Sequence, residues 1–417
     1  MLQRSLTRFR WKSLIQPWQE VDWLLIFGAI ALTVIGGLAI RSTELTLNLT
    51  DWRQHWVTGA VGLGITLAIA RSRYESILSW HWILYGMTNL VLLFVIFAGT
   101  EANGAQSWLT LGGFNLQPSE LAKVSVIISL AAVMHNRTAK TIPDVIRAIA
   151  VVIPPWLLIM KQPDLGTGLV FIAITLGMLY WGNANPGWII LMISPLVSAI
   201  LFVVYLPAWF VWTSLMIYIG WRTLPWRYAG AITAGVVNLL SGGLGNFLWD
   251  ALAPYQKARI SMFIDPDQDP LGAGYHLIQS RIAIGAGGLW GQGLNQGTQT
   301  QLRFIPEQHT DFIFTAIGEE LGFMGCLAVL VLFWLICFRL LIIAQNAKDN
   351  FGSLLAFGVL SMIVFQALVN ISMTIGLAPV TGIPLPWLSY GRSALLTNFI
   401  ALGLVESICN FRHRLKF

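Results

Sequence analysis

Continuous apolar runs at 23–40, 82–98 and 354–375 approach or exceed the ~20 residues that cross a hydrocarbon core. Few folds accommodate such runs. A transmembrane barrel would instead show alternating segments of about ten residues. Only 11% of the chain is charged and 56% is hydrophobic, whereas a soluble domain carries about 25% charged residues. The expectation is an all-α, polytopic transmembrane helical bundle.

Hydropathy places spans at 22–40, 56–71, 79–98, 119–135, 146–160, 165–181, 186–205, 207–221, 228–250, 311–337, 353–376 and 393–410, about twelve in all. With both termini inside, Lys and Arg fall roughly two to one on the cytoplasmic side, in keeping with the positive-inside rule. Parity makes 206–250 decisive. One span there would put the long polar segment that follows in the cytoplasm and the basic C-terminus outside, so two are expected. No soluble domain or linker stands out, and 1–417 is read as one integral membrane domain. Its largest loop, 251–310, is then extracytoplasmic.

Arg4, Arg8, Arg10 and Lys12 precede a first span too long for a signal peptide, and no small-residue cleavage site follows. Cys326, Cys337 and Cys409 lie in or at the ends of spans and read as packing residues rather than disulfide or metal partners. No basic stripe with interleaved aromatics is present, so no nucleic-acid partner is expected.

The polar residues concentrate in a few places. The stretch 262–321 is rich in Gly, Gln, Asp and Pro and holds two of the six histidines. Loops beyond about 12–15 residues are usually functional or disordered, and Tyr275, Leu277, Trp290 and Phe304 make this one too apolar for a solvated linker. The first outer loop, 101–117, has turn signals around apolar residues and reads as a short segment at the membrane surface, with Trp108 at headgroup level. The last outer loop, 376–393, carries three prolines and includes Ser389. Irregular backbone at that depth is tolerated when buried in protein or lining a cavity, although a plain connector would also fit.

Three constellations could carry chemistry. Glu120 and Lys123 are three residues apart and share a helix face. A lone ammonium in an apolar run costs roughly 2.5–3.5 kcal/mol, so the two form either a cavity wall or a packing pair. Asp164 follows Pro163 at a helix start, where capping is the ordinary role. Either an extended or a helical backbone would cluster at least two of Glu307, His309 and Asp311. HxD beside a glutamate suggests metal ligation, but no second pair at ligand spacing supports a dedicated site. Thr310 or Asp311 could equally cap the helix that follows. Of Glu319 and Glu320, at least one must face protein or a water-filled cavity.

The segments GAQSWLTLGGFNLQPSELAK (104–123), KQPDLGTG (161–168), DPDQDPLGAGYHLIQSRIAIGAGGLWGQGLNQGTQTQLRFIPEQHTDFIF (265–314), EELG (319–322) and PVTGIPLPWLSYG (379–391) resemble the SEDS family, the FtsW/RodA/SpoVE group, and its cell-elongation branch in particular. They recur along nearly the whole chain apart from 206–250. The resemblance implies a peptidoglycan glycosyltransferase that polymerises lipid II, a polyprenyl-diphosphate-linked glycan precursor, on the outer face of the bacterial cytoplasmic membrane. It also implies a class B penicillin-binding protein as transpeptidase partner, together with membrane proteins of the elongation machinery. The aspartate of the family's HTDF motif is its proposed catalytic residue and maps to Asp311; the family's Glu/Lys pair maps to Glu120 and Lys123. Two departures stand out. The family usually has ten spans, so 206–250 reads as an inserted helical pair, and Arg392 stands where the family commonly has glycine.

The chemistry suits these residues. Forming a β-1,4 glycan from an α-linked diphosphate requires inversion in one displacement, and a carboxylate base can take the proton of the attacking hydroxyl. Diphosphate leaves without an acid, unlike the leaving group in glycoside hydrolysis. Its charge calls for cations, for which Lys257, Arg259, Arg281 and Arg303 are candidates, with a divalent cation (Mg or Mn) a further one and no organic cofactor. Two alternatives remain open. A lipid-linked precursor flippase would gather its polar groups at mid-membrane, and a non-catalytic scaffold would make Asp311 dispensable.

Overall fold

The computed structural model describes residues 20–44, 52–102, 105–111, 114–251, 257, 274–302 and 304–412. A helix stands at each of the twelve predicted segments: α1 (Trp23–Thr43), α2 (Trp52–Ala70), α3 (Glu75–Ala98), α4 (Pro118–Asn136), α5 (Ile142–Lys161), α6 (Leu165–Trp181), α7 (Pro186–Val204), α8 (Leu206–Thr223), α9 (Arg227–Ala251), α12 (Ile313–Gln345), α13 (Asn350–Thr374) and α14 (Arg392–Asn410). Two further helices, α10 (Tyr275–Gly287) and α11 (Thr298–Gln301), lie between α9 and α12. Among the described residues, eight helices are long and apolar enough to cross a membrane, and Leu165–Trp181 is a shorter apolar helix. This is a multi-pass membrane protein.

The first outer loop departs from expectation. Instead of a simple surface segment it forms an antiparallel meander of β1 (Thr100–Ala102), β2 (Ala105–Leu111) and β3 (Phe114–Leu116), with Thr100 opposite Trp108 and Leu109 opposite Leu116. Pairing its own backbone groups is how a segment rich in turn residues avoids leaving them unsatisfied near the bilayer.

The most buried helices are α4 and α14, which sit at the centre of the bundle. Helix α2 packs along α14 through small residues: Gly59 approaches Leu395, Gly62 fits against Phe399, and Thr66 Oγ1 donates to the Phe399 carbonyl at 2.7 Å. Close backbone approach through glycine compensates for the lack of a hydrophobic drive between helices in lipid.

The two ends of the bundle differ in chemistry. At one end Arg412 pairs with Glu20, Arg339 with Asp22 at 2.6 Å, and Lys348 with Glu75 at 2.8 Å. Ser407 and Asn410 also bond there to the carbonyls of Ser72 and Ala70, so both ends of the described chain meet on this basic side. The Glu20 carboxylate raises the Arg412 guanidinium further above its ordinary pKa.

At the opposite end Ser42, on the last turn of α1, donates to Glu320 on α12. Asp22 and Ser42 are separated by ~20 residues, or ~30 Å of helix, the thickness of a hydrocarbon core. The stretch 323–345 of α12 therefore has the length of the bilayer by itself, and 313–321 lies at the non-basic end.

Helix α12 is in fact broken, a feature the hydropathy reading missed. Gly322 has φ 67° and ψ −163°, and the loop after α10 docks on the break. Phe323 N and Met324 N donate to the carbonyls of Gly288 (2.9 Å) and Leu289 (3.1 Å). Gln292 N and Gly293 N donate to the carbonyls of Glu319 and Glu320, each at 3.0 Å. Four interstrand-like bonds thus replace those that the helix loses, as irregular backbone near lipid requires.

Gly291, at φ 80°, is needed for the same joint, because a Cβ there would collide with the Glu320 carbonyl. Gly291→Ala is expected to lower stability by roughly 2 kcal/mol or more, from left-handed strain plus the clash. Gly285→Ala, on open helix surface, should change it by less than about 1 kcal/mol. Thermal unfolding of the detergent-solubilised variants measures both.

Helices α7, α8 and α9 pack mainly on one another and touch the rest of the bundle through α6. A polar core holds them: Asn238 Nδ2 donates to Ser194 Oγ at 3.0 Å, Ser198 Oγ to the Asn238 carbonyl at 2.7 Å, and Trp209 Nε1 to Ser198 Oγ at 2.8 Å. The helical pair expected at 206–250 is present as α8 and α9.

Candidate active site

Asp311 lies at the end opposite Arg339, Lys348 and Arg412, on the turn that leads into α12. Three successive N–H groups, those of Thr310, Asp311 and Phe312, converge on the Glu307 carbonyl at 3.2, 3.1 and 3.4 Å. Glu307 itself takes φ 53°, a left-handed conformation that a non-glycine residue adopts at a cost of order 1–3 kcal/mol.

The turn is fastened from two other elements. Asn370, fully buried on α13, donates to the Asp311 carbonyl at 3.0 Å and to the Ile383 carbonyl at 2.8 Å. Ser389 accepts from Leu385 N at 2.8 Å and donates to the Thr310 carbonyl at 2.6 Å. The loop between α13 and α14 is thereby stapled to the Asp311 turn, and the buried Ser389 hydroxyl holds backbone in place. The helix-capping alternative for Thr310 and Asp311 does not hold: α12 begins at Ile313, Phe312 occupies its cap position, and no side chain caps it. The half-buried Asp311 side chain thus has no helix-capping duty.

His309 sits between two carboxylates, with Nδ1 at 3.3 Å from Glu44 and Nε2 at 3.8 Å from Glu307. Its carbonyl accepts from Tyr390 N at 2.8 Å, and the two rings meet edge to face. Tyr390 in turn reaches Gln54 on α2 at 3.4 Å. The ends of α1, α2 and α13, and the loop before α14, therefore all converge on the turn 305–312. The sequence reading missed Asn370, Glu44 and Gln54. An asparagine inside the apolar run 354–375 was a usable signal, because intramembrane polar groups are rarely idle; Glu44 and Gln54 offered none.

Asp164 caps α6, as its position after Pro163 suggested. Its carboxylate accepts from Thr167 N at 2.9 Å and Thr167 Oγ1 at 2.8 Å, and also from Gln117 Nε2 at 3.2 Å and Ser119 Oγ at 3.5 Å. Gln117 N bonds to Ser393 at the start of α14. Gly166 is close to the Thr381 carbonyl and Ile383. Asp164 is thus joined to the Asp311 neighbourhood through Ile383, whose carbonyl accepts from Asn370.

One turn into α4, Lys123 Nζ meets Glu120 Oε1 at 2.8 Å, with both side chains almost wholly buried. The α4–α13 packing sets Ile127 against Gly358. Because the helices run antiparallel, this register brings Glu120 level with Gln366. Glu120 Oε2 and Gln366 Oε1 both have no hydrogen-bond partner among the described residues, as expected of groups satisfied by buried water.

The remaining carboxylates and cations separate clearly. Glu319 accepts from Gln299 N (2.7 Å), Thr300 N (2.8 Å) and Thr300 Oγ1 (2.6 Å), so it organises α11 rather than facing a cavity. Arg281 lies against Gly376 at the start of the last outer loop. Lys257 is half-buried, while Arg259 and Arg303 lie outside the described residues. His276, at the start of α10, is pushed below the usual imidazole pKa by burial and is neutral near pH 7. Among the described residues no three His, Cys, Asp or Glu side chains gather as metal ligands, and His309 is already committed to two carboxylates. These side chains do not form a dedicated metal site.

Together these features define a polytopic membrane protein with Asp311 held on a braced turn at a bundle end. Comparison then places it more closely. The family model described as cell cycle protein, of the FtsW, RodA and SpoVE group, matches residues 19–214 and 207–414, and the chain belongs to that family. It is 34% identical to the peptidoglycan glycosyltransferase RodA of Treponema pallidum, over 93% of this chain and 97% of that protein. It is 37% identical to the peptidoglycan glycosyltransferase MrdB of Escherichia coli K12, over 94% and 92% of the two chains. A solved structure from work on polymerization and crosslinking by a peptidoglycan synthase complex superposes with TM-score 0.71 at 29% identity, covering 95% of this chain and 100% of that one. Rod shape determining protein RodA of Thermus thermophilus shares the fold, with TM-score 0.60, 24% identity and 95% and 99% coverage.

Proposed function

We propose that this protein is a peptidoglycan glycosyltransferase of cell elongation, polymerising lipid II on the outer face of the bacterial cytoplasmic membrane. The observation that carries the reading is the Asp311 turn, braced by Asn370 and Ser389, in a chain whose relatives bear that enzyme name over more than nine-tenths of its length. The basic end, with Arg339, Lys348 and Arg412, faces the cytoplasm under the positive-inside rule. That orientation puts Glu20 and Arg412 on the cytoplasmic side, counts twelve spans with α8 and α9, and turns Asp311 outward.

In this reading Asp311 takes the proton from the sugar 4-hydroxyl as that oxygen attacks the anomeric carbon of the diphosphate-linked sugar. The C–O bond to diphosphate breaks on the opposite face, giving inversion, and the lipid diphosphate departs without an acid. A backbone held by three converging N–H groups and two cross-links keeps the base within the tolerance that in-line displacement needs. Arg281 and Lys257 supply positive charge toward the leaving group. A class B penicillin-binding protein is the transpeptidase partner, as the synthase complex in the structural comparison suggests.

The decisive assay uses purified protein, alone and with its transpeptidase, on lipid II in detergent and in vesicles. Glycan strands long enough to resolve by electrophoresis are expected. Movement of lipid II across vesicles without any polymer would sink this reading and favour a flippase.

A further inference from the structure

A cavity of about 770 Å³ opens at the basic end of the bundle, remote from Asp311, between the α4–α5 and α6–α7 connections. Lys140, Tyr180, Trp181, Asn183, Asn185 and Trp188 line it. The walls are fixed: Ala139 N donates to the Gly182 carbonyl at 3.0 Å, tying the two connections together. Both indoles are anchored inward. Trp181 Nε1 donates to Ser353 Oγ at 2.8 Å and its ring stacks on Phe357, while Trp188 Nε1 donates to the Thr223 carbonyl at 2.9 Å. With their N–H groups committed, the two rings offer the cavity apolar surface.

The polar side of the cavity is cationic. Lys140 is exposed and pairs with no carboxylate among the described residues, whereas Arg147, Arg339, Lys348 and Arg412 at the same end are each paired. Asn185 uses Oδ1 to cap α7 through Gly187 N, which directs its amide NH2 away from the helix. The cavity lies where spans end, at headgroup depth, where tryptophan and tyrosine meet glycerol and upper acyl carbons and lysine meets phosphate. It is also the place where the α7–α9 trio joins the rest of the bundle.

We propose that this cavity is a binding site for the phosphate headgroup of an anionic phospholipid from the leaflet at the basic end. Lys140 takes the phosphate, and Trp181 and Trp188 pack against the glycerol and first acyl carbons. The lipid then acts as a wedge between α6 and α7, fixing the peripheral trio against the bundle. The proposal does not depend on the catalytic reading.

Native mass spectrometry of the full-length protein released from mixed micelles tests it. Phosphatidylglycerol and phosphatidylethanolamine of equal chain length would be supplied at equal concentration, with inorganic phosphate in a separate arm. Retention of one phosphatidylglycerol in preference to phosphatidylethanolamine is expected, reduced about fivefold or more in Lys140→Glu and preserved in Lys140→Arg. Arg227→Glu, an exposed cation at the same end but outside the cavity, should leave retention unchanged. Equal retention of the two lipids, or an equal loss in Arg227→Glu and Lys140→Glu, would overturn the proposal in favour of bulk charge. Displacement of the lipid by millimolar inorganic phosphate would overturn it in favour of a simple anion site. Unchanged thermal unfolding of Lys140→Glu in lipid-free detergent separates lost binding from lost folding.

Discussion

Asp311→Ala is expected to reduce lipid II polymerisation by about 10²–10⁴-fold, the usual contribution of a general base, while leaving the protein folded. The second half of that expectation follows from which Asp311 atoms hold the turn. Its N–H meets the Glu307 carbonyl and its carbonyl meets Asn370, and both survive removal of the carboxylate. No side chain caps α12, so no cap is lost. Asp311→Asn keeps the shape and removes the basicity, so it should be as inactive as the alanine variant. Unfolding temperature and lipid II turnover, measured on the same preparations, decide the matter. Normal polymerisation by Asp311→Asn would show that the base lies elsewhere.

The second large effect falls on Glu120 and Lys123, whose side chains are only 4% and 2% exposed. Removing one partner strands the other charge in an apolar interior, so Glu120→Gln is expected to destabilise the protein by about 3–5 kcal/mol. Replacing both, as in Glu120→Leu with Lys123→Met, should recover most of that loss, because well-packed apolar residues often match a buried ion pair. Activity of the double variant then separates two roles. A stable, active double variant assigns the pair to packing alone. A stable, inactive one means that the pair acts on the reaction.

Much of this could be read along the chain. Every predicted span is a helix, and Asp164 caps α6 as its place after Pro163 foretold. The two helices in 206–250 follow from charge parity. The failures share a cause: each concerns backbone groups whose hydrogen-bond partners no helical or strand period announces. The β1–β3 meander uses hydrogen bonds between strands whose residues are too few and too mixed to show a period of two. The break at Gly322 is hidden because 313–345 is uniformly apolar, and its compensating bonds come from 288–293. Thr310 and Asp311 looked like caps because the local sequence permits it, but Glu307, Asn370 and Ser389 had already fixed their backbone.

Hydropathy and charge along the chain were enough to place it in a bilayer, to locate a helix at each of twelve segments and to show which end is richer in Lys and Arg. Those properties depend on transfer free energies and charges that sum residue by residue. The motif resemblance added Asp311 as the carboxylate to test. Only the tertiary structure decided what each polar residue does. Ser389, Glu319 and Asn370 proved to be braces for backbone, His309 is held between Glu44 and Glu307, and Lys140 stands in a cavity with no carboxylate partner among the described residues. Those roles arise from contacts between positions as far apart as Glu44 and His309, whose proximity exists only once the helices have packed.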